Sequence, residues 1–265
     1  MTVCHLFFAE KNSVTLLRKK LVMKKYSNTD ILNYTAHRTW ETPNKDWIFY
    51  QEWNKVLFFH WAIEKEILEK LIPQGVELDT YNGKAWISLV AFTMEKIRPR
   101  ILPSFPPIST FNEINLRTYV TKDNKPGVYF LNIEAQKWLS GYLSRKISGL
   151  PYQKSKISHN LKNNKLIANF ETKGFNLEVD YQIGNLISNK TDLDIFLTER
   201  YCLYLELNDE LIRYEIHHLP WEVKELTYNK LKTNYFLKDI DLNRKPDLIR
   251  YSEGIQVLAW NQEVL

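Results

Sequence analysis

Glycine is scarce in this chain, with 8 among 265 residues. None falls in a Gly-x-Gly-x-x-Gly turn or a Gly-Lys-Ser/Thr phosphate loop, and no Gly-x-Ser-x-Gly elbow occurs. Dinucleotide chemistry, nucleotide hydrolysis and the common hydrolase triads therefore lose their usual sequence support. Cysteine is scarcer still. Cys4 and Cys202 are far apart and make neither a disulfide framework nor a metal-ligand pair; the reading is a reduced, cytoplasmic protein. No apolar run approaches the ~18 residues of a membrane span. Val3–Phe8 is too short for a secretory signal, and its basic residues follow rather than precede it. What the chain has in quantity is apolar and aromatic side chains, 44% and 14% of the sequence, enough for a sizeable core.

The formal charge of +5 is unevenly placed. Residues 1–25 carry Lys11, Arg18, Lys19, Lys20, Lys24 and Lys25 against Glu10 alone, so the remaining 240 residues balance 30 basic against 30 acidic groups. A nucleic-acid binder concentrates basic residues in its folded part, and none is expected here. Residues 1–33 read as a basic leader and 34–265 as a single domain. Met23-Lys24-Lys25 resembles an ordinary start, so residues 1–22 read as a mis-called start or a loose tail.

Along the domain, apolar residues at 63, 67, 68 and 71 are spaced for one face of a helix that Pro73 and Gly75 stop. Asn82-Gly83 predicts a hairpin into Ala85–Phe92, a run apolar on both faces and so deep in a sheet. Pro99, Pro103, Pro106 and Pro107 make a rigid crossing or lid-like segment. Asp123–Gly127 turns the chain into a strand at Val128–Glu134. Ala135–Ser148 has helical spacing and ends at Gly149 and Pro151. Further antiparallel strands are expected at Leu166–Glu171, Phe175–Ile183, Arg200–Leu207 and Leu211–His217, and an apolar run, Ile255–Trp260, closes the chain. The fold class is α+β, mostly antiparallel β with few helices.

One strand stands apart. In Phe111–Val120 the even positions are mostly apolar, while the odd positions read Phe111, Glu113, Asn115, Arg117, Tyr119. Strand side chains alternate between faces. The odd row is either a solvated surface or a carboxylate, an amide and a guanidinium aimed into a cavity. At ~3.3 Å per residue, Glu113 and Arg117 stand about 13 Å apart along the strand with Asn115 between them, a spacing that suits a ligand better than an internal ion pair.

A series of segments then resembles the YqjF-like family of uncharacterised bacterial proteins, within the acetoacetate-decarboxylase-like superfamily. They are Phe59-His60-Trp61, Leu78–Trp86, Thr110–Val120, Pro126–Phe130, Gly149–Tyr152, Thr198–Tyr201, His218–Trp221 and Arg250–Gly254, spanning roughly residues 38–262. The resemblance implies a cone or barrel-like antiparallel sheet with flanking helices and a pocket inside. It does not imply decarboxylation. Acetoacetate decarboxylases carry Gly-Arg-Glu-x-x-Gly-x-Pro-Lys, whose Lys forms the Schiff base; here the corresponding stretch is Ser144–Tyr152. Arg145, Gly149 and Pro151 persist, Lys146 replaces the Glu, and Tyr152 stands where the Lys would. A phenol cannot form an imine but can donate a proton or a hydrogen bond. Lys154 and Lys156 share the alternating face of Tyr152, so a displaced amine is one alternative and ordinary solvated lysines the other.

The candidates each have two readings. Glu113 and Tyr152 are catalytic candidates, as acid or base and as proton donor. Asn115, Arg117, Arg145, Arg200 and His218 are ligand-binding candidates. Arg145 is either a carboxylate anchor or a cation at a helix C-terminus. Arg200 either meets a ligand or makes a cation-π contact or a bridge to Glu. His218 is a general acid or base near neutral pH, or a satisfied structural histidine. His217 and His218, being adjacent, point to opposite faces and cannot share a metal. His60-Trp61 packs at the start of the domain. No cofactor and no metal are expected. The function expected is a small-molecule binder for a carboxylate-bearing compound, and if it is an enzyme, a lyase or isomerase working without a Schiff base. The alternatives are a non-catalytic binding or sensing protein and a pocketless interaction module. A homo-oligomer is compatible with all three; a membrane is not an expected partner.

Overall fold

The structure, a computed structural model, describes residues 23–136, 152–169, 175–237 and 240–265. The strands are β1 (Phe49–Ile63), β2 (Glu77–Leu78), β3 (Ala85–Pro99), β4 (Phe111–Lys122), β5 (Lys125–Ala135), β6 (Tyr152–Lys154), β7 (Lys156–Asn160), β8 (Lys165–Asn169), β9 (Asn176–Leu186), β10 (Cys202–Leu207), β11 (Glu210–His217), β12 (Lys224–Asn234), β13 (Phe236–Leu237), β14 (Ile240–Asp241), β15 (Leu248–Ala259) and β16 (Glu263–Val264). Among the described residues the helices are short: α1 (Asn28–Asn33), α2 (Lys65–Leu68), α3 (Pro106–Ser109) and α4 (Asp192–Thr198).

Fourteen of the strands form one sheet in the order β16-β11-β10-β5-β4-β3-β1-β15-β12-β9-β8-β7, with β2 on β4 and β6 on β5. It is almost all antiparallel; the β5–β10 and β5–β6 junctions are parallel. A further pairing of β11 with β15, Ile216 to Ala259 and His217 to Leu258, joins the seven strands from β11 to β15 into a ring. The remaining strands, β12 to β7, form a wing. β1, β3 and β4 thus each have two buried faces. Leu57 and Phe59 of β1, Leu89 of β3 and Leu116 of β4 meet Leu166, Val179 and Leu226 of the wing in one core. Val56, Phe58, Val90, Phe92, Met94, Phe111 and Val257 form a second core on the opposite face, inside the ring. This is the cone-like, mostly antiparallel α+β architecture expected from the sequence.

β1 shows how the ring is shaped. Its positive φ at Lys55 (55°) coincides with a register shift against β3 between Asn54 and Leu57. A bulge of this kind advances the chain by one residue and switches which parity faces inward. Gln51 and Trp53 face the interior before it, Val56 and Phe58 after it. Periodicity therefore predicts no strand over 49–63, and assigns Ile63 to a helix that in fact begins only at Lys65. Of the two readings of the proline segment, the crossing is excluded: the segment joins β3 to its antiparallel neighbour β4. Ala135 closes β5, and the helix expected beyond it lies, after Gln136, outside the described residues. The two-residue turns Asp123-Asn124 and Asn208-Asp209 have positive φ throughout, as tight hairpins require. Residues 23–33 pack on the domain: Ser27 and Asp30 form a capping box for α1, and Ile31 enters a cluster with Trp47, Tyr50, Leu258 and Trp260.

Gly127 sits at the parallel β5–β10 junction. A Cβ there would lie 2.5 Å from the Cys202 carbonyl oxygen and 2.8 Å from the Tyr204 ring. Gly127→Ala is expected to destabilise by about 1–3 kcal/mol, the usual cost of overpacking, and to lower the calorimetric melting temperature. A melting curve unchanged from the parent would mean this junction is looser than its contacts indicate.

Candidate ligand-binding site

The ring encloses a cavity of about 580 Å3. The odd row of β4 faces it: Glu113, Asn115 and Arg117 line the space and are 3%, 3% and 8% exposed. Ile114 and Leu116 point the other way, into the core under the wing. The register sets each polar residue beside an apolar one of β3, Glu113 opposite Phe92 and Asn115 opposite Val90, while Arg117 is opposite Ser88. The Asn115 amide nitrogen lies 3.4 Å from Glu113 Oε1, and its Oδ1 is buried without a partner.

Arg117 reaches the C-terminal end of α4. Its Nη2 donates to the Leu197 carbonyl at 3.3 Å, one of the carbonyls a helix end leaves without an internal donor. Its Nε is buried and unpartnered, and among the described residues no carboxylate pairs with it. The same carbonyl accepts from the Tyr119 hydroxyl at 3.0 Å. Since a carbonyl only accepts, the proton order of the adjoining chain follows. The Tyr119 oxygen accepts from Ser88 Oγ at 2.6 Å, and Ser88 Oγ accepts from His60 Nδ1 at 2.6 Å. His60 Nε2 is then a buried acceptor without a donor. Burial, with the charges of Arg117 and Arg250 nearby, pushes the His60 pKa down to about 3.

Arg200 lies beside this group but is differently placed. It is ion-paired with Asp79, donates from Nε to the Phe196 carbonyl at 2.6 Å, and lies over the rings of Phe196 and Tyr119. The bridge to Glu considered from sequence is thus a bridge to Asp, alongside the expected cation-π contact; Arg200 also lines the cavity. Burial lowers its pKa, against the pull of Asp79.

His218 lines the cavity from the end of β11. Its Nδ1 donates to the Leu219 carbonyl at 2.7 Å, which leaves Nε2 as an acceptor. Burial pushes its pKa down to about 4, although the Glu199 carboxylate opposes this. It is therefore a neutral imidazole at pH 7, not a group titrating near neutrality. His217 points away from it and reaches the Ile31 carbonyl at 2.7 Å, so the two do not converge. Among the described residues no three His, Cys, Asp or Glu side chains are grouped to hold a metal ion. No described helix is long and apolar enough to cross a membrane.

Sequence reasoning missed the aromatic wall. Trp53 and Trp221 stack at 6.2 Å, Trp53 meets Phe92 at 5.7 Å, and Phe58 meets Trp221 edge-on at 5.3 Å. All four line the cavity. Glu199 fixes one end of this wall: it accepts the Trp221 backbone N–H at 3.0 Å and the Tyr201 hydroxyl at 2.7 Å, and pairs with Lys190. Of the remaining candidates, Arg145 lies outside the described residues. Tyr152 is described by its backbone: it pairs in register with Ile133, which in turn pairs with Asn115. Lys156 is exposed, and none of the described residues lining the cavity is a lysine.

The fold is that of acetoacetate decarboxylase and of enzymes like it. The chain superposes on the acetoacetate decarboxylase of Legionella pneumophila subsp. pneumophila str. Philadelphia 1 with a TM-score of 0.55 at 11% identity, covering 92% of this chain and 98% of that one. It superposes on the enduracididine biosynthesis enzyme MppR, complexed with pyruvate, with a TM-score of 0.55 at 10% identity, covering 84% and 92%. An acetoacetate decarboxylase-like enzyme from Sphingomonas wittichii RW1 gives 0.54 at 14% identity, covering 83% and 94%. Within that fold the chain belongs to the DUF2071 family, described as an uncharacterized conserved protein, whose model matches residues 50–256. It is 36% identical over 228 residues to the uncharacterized protein YqjF of Bacillus subtilis (strain 168), covering 82% of this chain and 93% of that one.

Proposed function

We propose that the ring cavity binds a small carboxylate-bearing molecule, with Arg117 as its anchor. One observation carries this reading: Arg117 is a buried cavity-lining cation without a carboxylate partner among the described residues, whereas its neighbour Arg200 is neutralised by Asp79. A buried guanidinium is stabilised by an opposite charge, and its fork matches a carboxylate. That a fold neighbour is complexed with pyruvate supports the same ligand chemistry. Arg145 is a second candidate anchor. Asn115 Oδ1 would accept from a donor on the ligand, as would His218, and Arg200 positions the floor. If a reaction occurs, Glu113 is the acid or base and Tyr152 the proton or hydrogen-bond donor, in a lyase- or isomerase-like step. We read the Schiff-base lysine as not retained; the lysine-free lining among the described residues supports this.

A non-catalytic binding or sensing role has its own support. Burial pushes the Cys202 thiol up to about 12 and keeps His218 neutral, so neither is an activated group at pH 7. The free, buried Cys202 is in keeping with a reduced, cytoplasmic setting.

Thermal-shift titrations of the full chain at pH 7.5 test the reading. Small carboxylates are expected to raise the melting temperature with concentration, since only the native state binds them, and the matching amides are expected not to. A panel in which acids and amides behave alike would sink the anchor. Borohydride trapping with a small β-keto acid is expected to leave every lysine unmodified; an adduct would restore the lysine route.

A further inference from the structure

The cavity is larger and more apolar than a small keto acid requires. A water takes about 30 Å3 in the liquid, so 580 Å3 is room for about twenty. A two- or three-carbon acid seated at Arg117 would leave most of that space to be filled by water against Trp53, Phe58, Phe92, Met94 and Trp221. Those side chains offer such water few partners: the Trp53 indole N–H is already spent on Gln51 Oε1 at 2.8 Å. Water in a cavity needs two to four polar partners, and an apolar wall does not supply them.

The two sorts of surface are also segregated. The charged groups among the described lining residues come from β4 (Glu113, Arg117) and from Arg200 just before β10, with the Asn115 amide also on β4, while β1 and β3 contribute Val56, Phe58, Val90, Phe92 and Met94, with Gln51 their one polar lining residue among those described. The aromatic rings on that side touch one another edge-on and stacked, a continuous surface rather than isolated contacts.

We infer that the ligand is an amphipathic acid, its carboxylate at Arg117 and an apolar or aromatic body lying against the Trp53–Phe92–Trp221 wall. The inference rests on the carboxylate reading above and adds to it the size and chemistry of the rest of the molecule. An aromatic body fits best, because ring–ring contacts add to area burial, while a straight alkyl chain gains by area alone. A charged tail is disfavoured along the wall, since the side chains of Trp53, Phe58, Phe92, Met94 and Trp221 carry no charge to pair with it.

Calorimetric titration of the full chain with acetate, butyrate, hexanoate, octanoate and 3-phenylpropionate, beside octanol and 6-aminohexanoate, tests this. Affinity is expected to rise about 4-fold per methylene up to octanoate, the value for full burial of a methylene. 3-Phenylpropionate is expected to exceed hexanoate, and 6-aminohexanoate to fall below it. Val90→Phe, which adds a ring to existing empty space, is expected to flatten the rise beyond butyrate; Phe92→Leu, a milder change, is expected to cut the preference for 3-phenylpropionate. Acids that all bind equally would overturn the inference and leave the carboxylate site standing. Tighter binding of 6-aminohexanoate than of hexanoate would also overturn it. Octanol binding as tightly as octanoate would instead overturn the Arg117 anchor beneath it.

Discussion

Arg117→Met is expected to abolish the preference for carboxylates while leaving the fold as stable as before, or slightly more so. The two halves have one cause. Among the described residues Arg117 has one hydrogen bond, to a carbonyl, an unpartnered Nε and no carboxylate, so in the empty protein its charge is poorly compensated. Replacing a buried, poorly compensated charge by an apolar side chain of similar length is commonly neutral or stabilising. The Leu197 carbonyl it leaves still accepts from Tyr119, so the substitution strands no acceptor. The ligand loses much more. Removing one member of a desolvated charge pair costs about 2–5 kcal/mol, which at 1.4 kcal/mol per decade means at least about 30-fold in affinity. Calorimetry and thermal melting of the same variant read both halves. A variant that melts well below the parent shows that Arg117 is chiefly structural; one that binds acids undiminished removes it from the site.

Acidification from pH 7 to pH 5 is expected to bring the protein close to unfolding without any ligand. His60 is held at about 3, and His159, His217 and His218 at about 4, each chiefly by burial. In the unfolded chain they return to about 6.5. Between pH 6.5 and 4 the unfolded chain therefore binds protons that the folded protein refuses, and stability falls as pH falls. Below pH 6 each histidine contributes up to about 1.4 kcal/mol per pH unit, so the four together remove roughly 5 kcal/mol over the single unit from pH 6 to 5. That is a large part of a typical total of about 5–15 kcal/mol. Glu52, Glu199, Glu253 and Asp194 are held below the usual carboxylate range by ion pairs and hydrogen bonds that outweigh their burial. Their contribution is present at neutral pH and lost as pH falls further, which steepens the acid limb. Urea midpoints are expected to be flat above pH 7 and to drop steeply between pH 6 and 5. An unchanged midpoint at pH 5 would show that these imidazoles are hydrated.

How far the site could be read from the chain depended on how local each signal was. The polar row of β4 is a matter of alternation over nine residues, Phe111 to Tyr119, and Glu113, Asn115 and Arg117 are visible at once. Which way the row points was not, because that depends on β3 and β5 beside it and on the ring that closes over it. The Asp79–Arg200 pair spans 121 positions, and nothing in the composition around Arg200 distinguishes Asp79 from other acids. The aromatic wall was hidden for two reasons. Trp53 and Trp221 are remote in sequence, and plain alternation puts Trp53 and Phe58 on opposite faces, whereas the bulge at Lys55 turns both inward. β12 was overlooked as well, because its exposed positions, among them Lys230 and Lys232, read as loop until β9 and β15 supply its partners.

The place of β15 in the ring bears on how the protein is made. β1 lies between β3 and β15, and the two partners are separated by the greater part of the chain. During synthesis from the N-terminus, the meander from β1 to β5 can assemble as soon as residue 135 has emerged, but one long edge of β1 then has no neighbour. Phe49–Ile63 offers fifteen residues of open backbone, rich in aromatics, on that edge. It stays open until the last strands leave the ribosome, since β15 ends only at Ala259. Pairing so distant in sequence is slow. The nascent chain therefore carries an exposed, sticky strand for most of its synthesis, and holdase chaperones that mask this edge would gain more for this protein than for a fold whose first strand pairs at once on both sides.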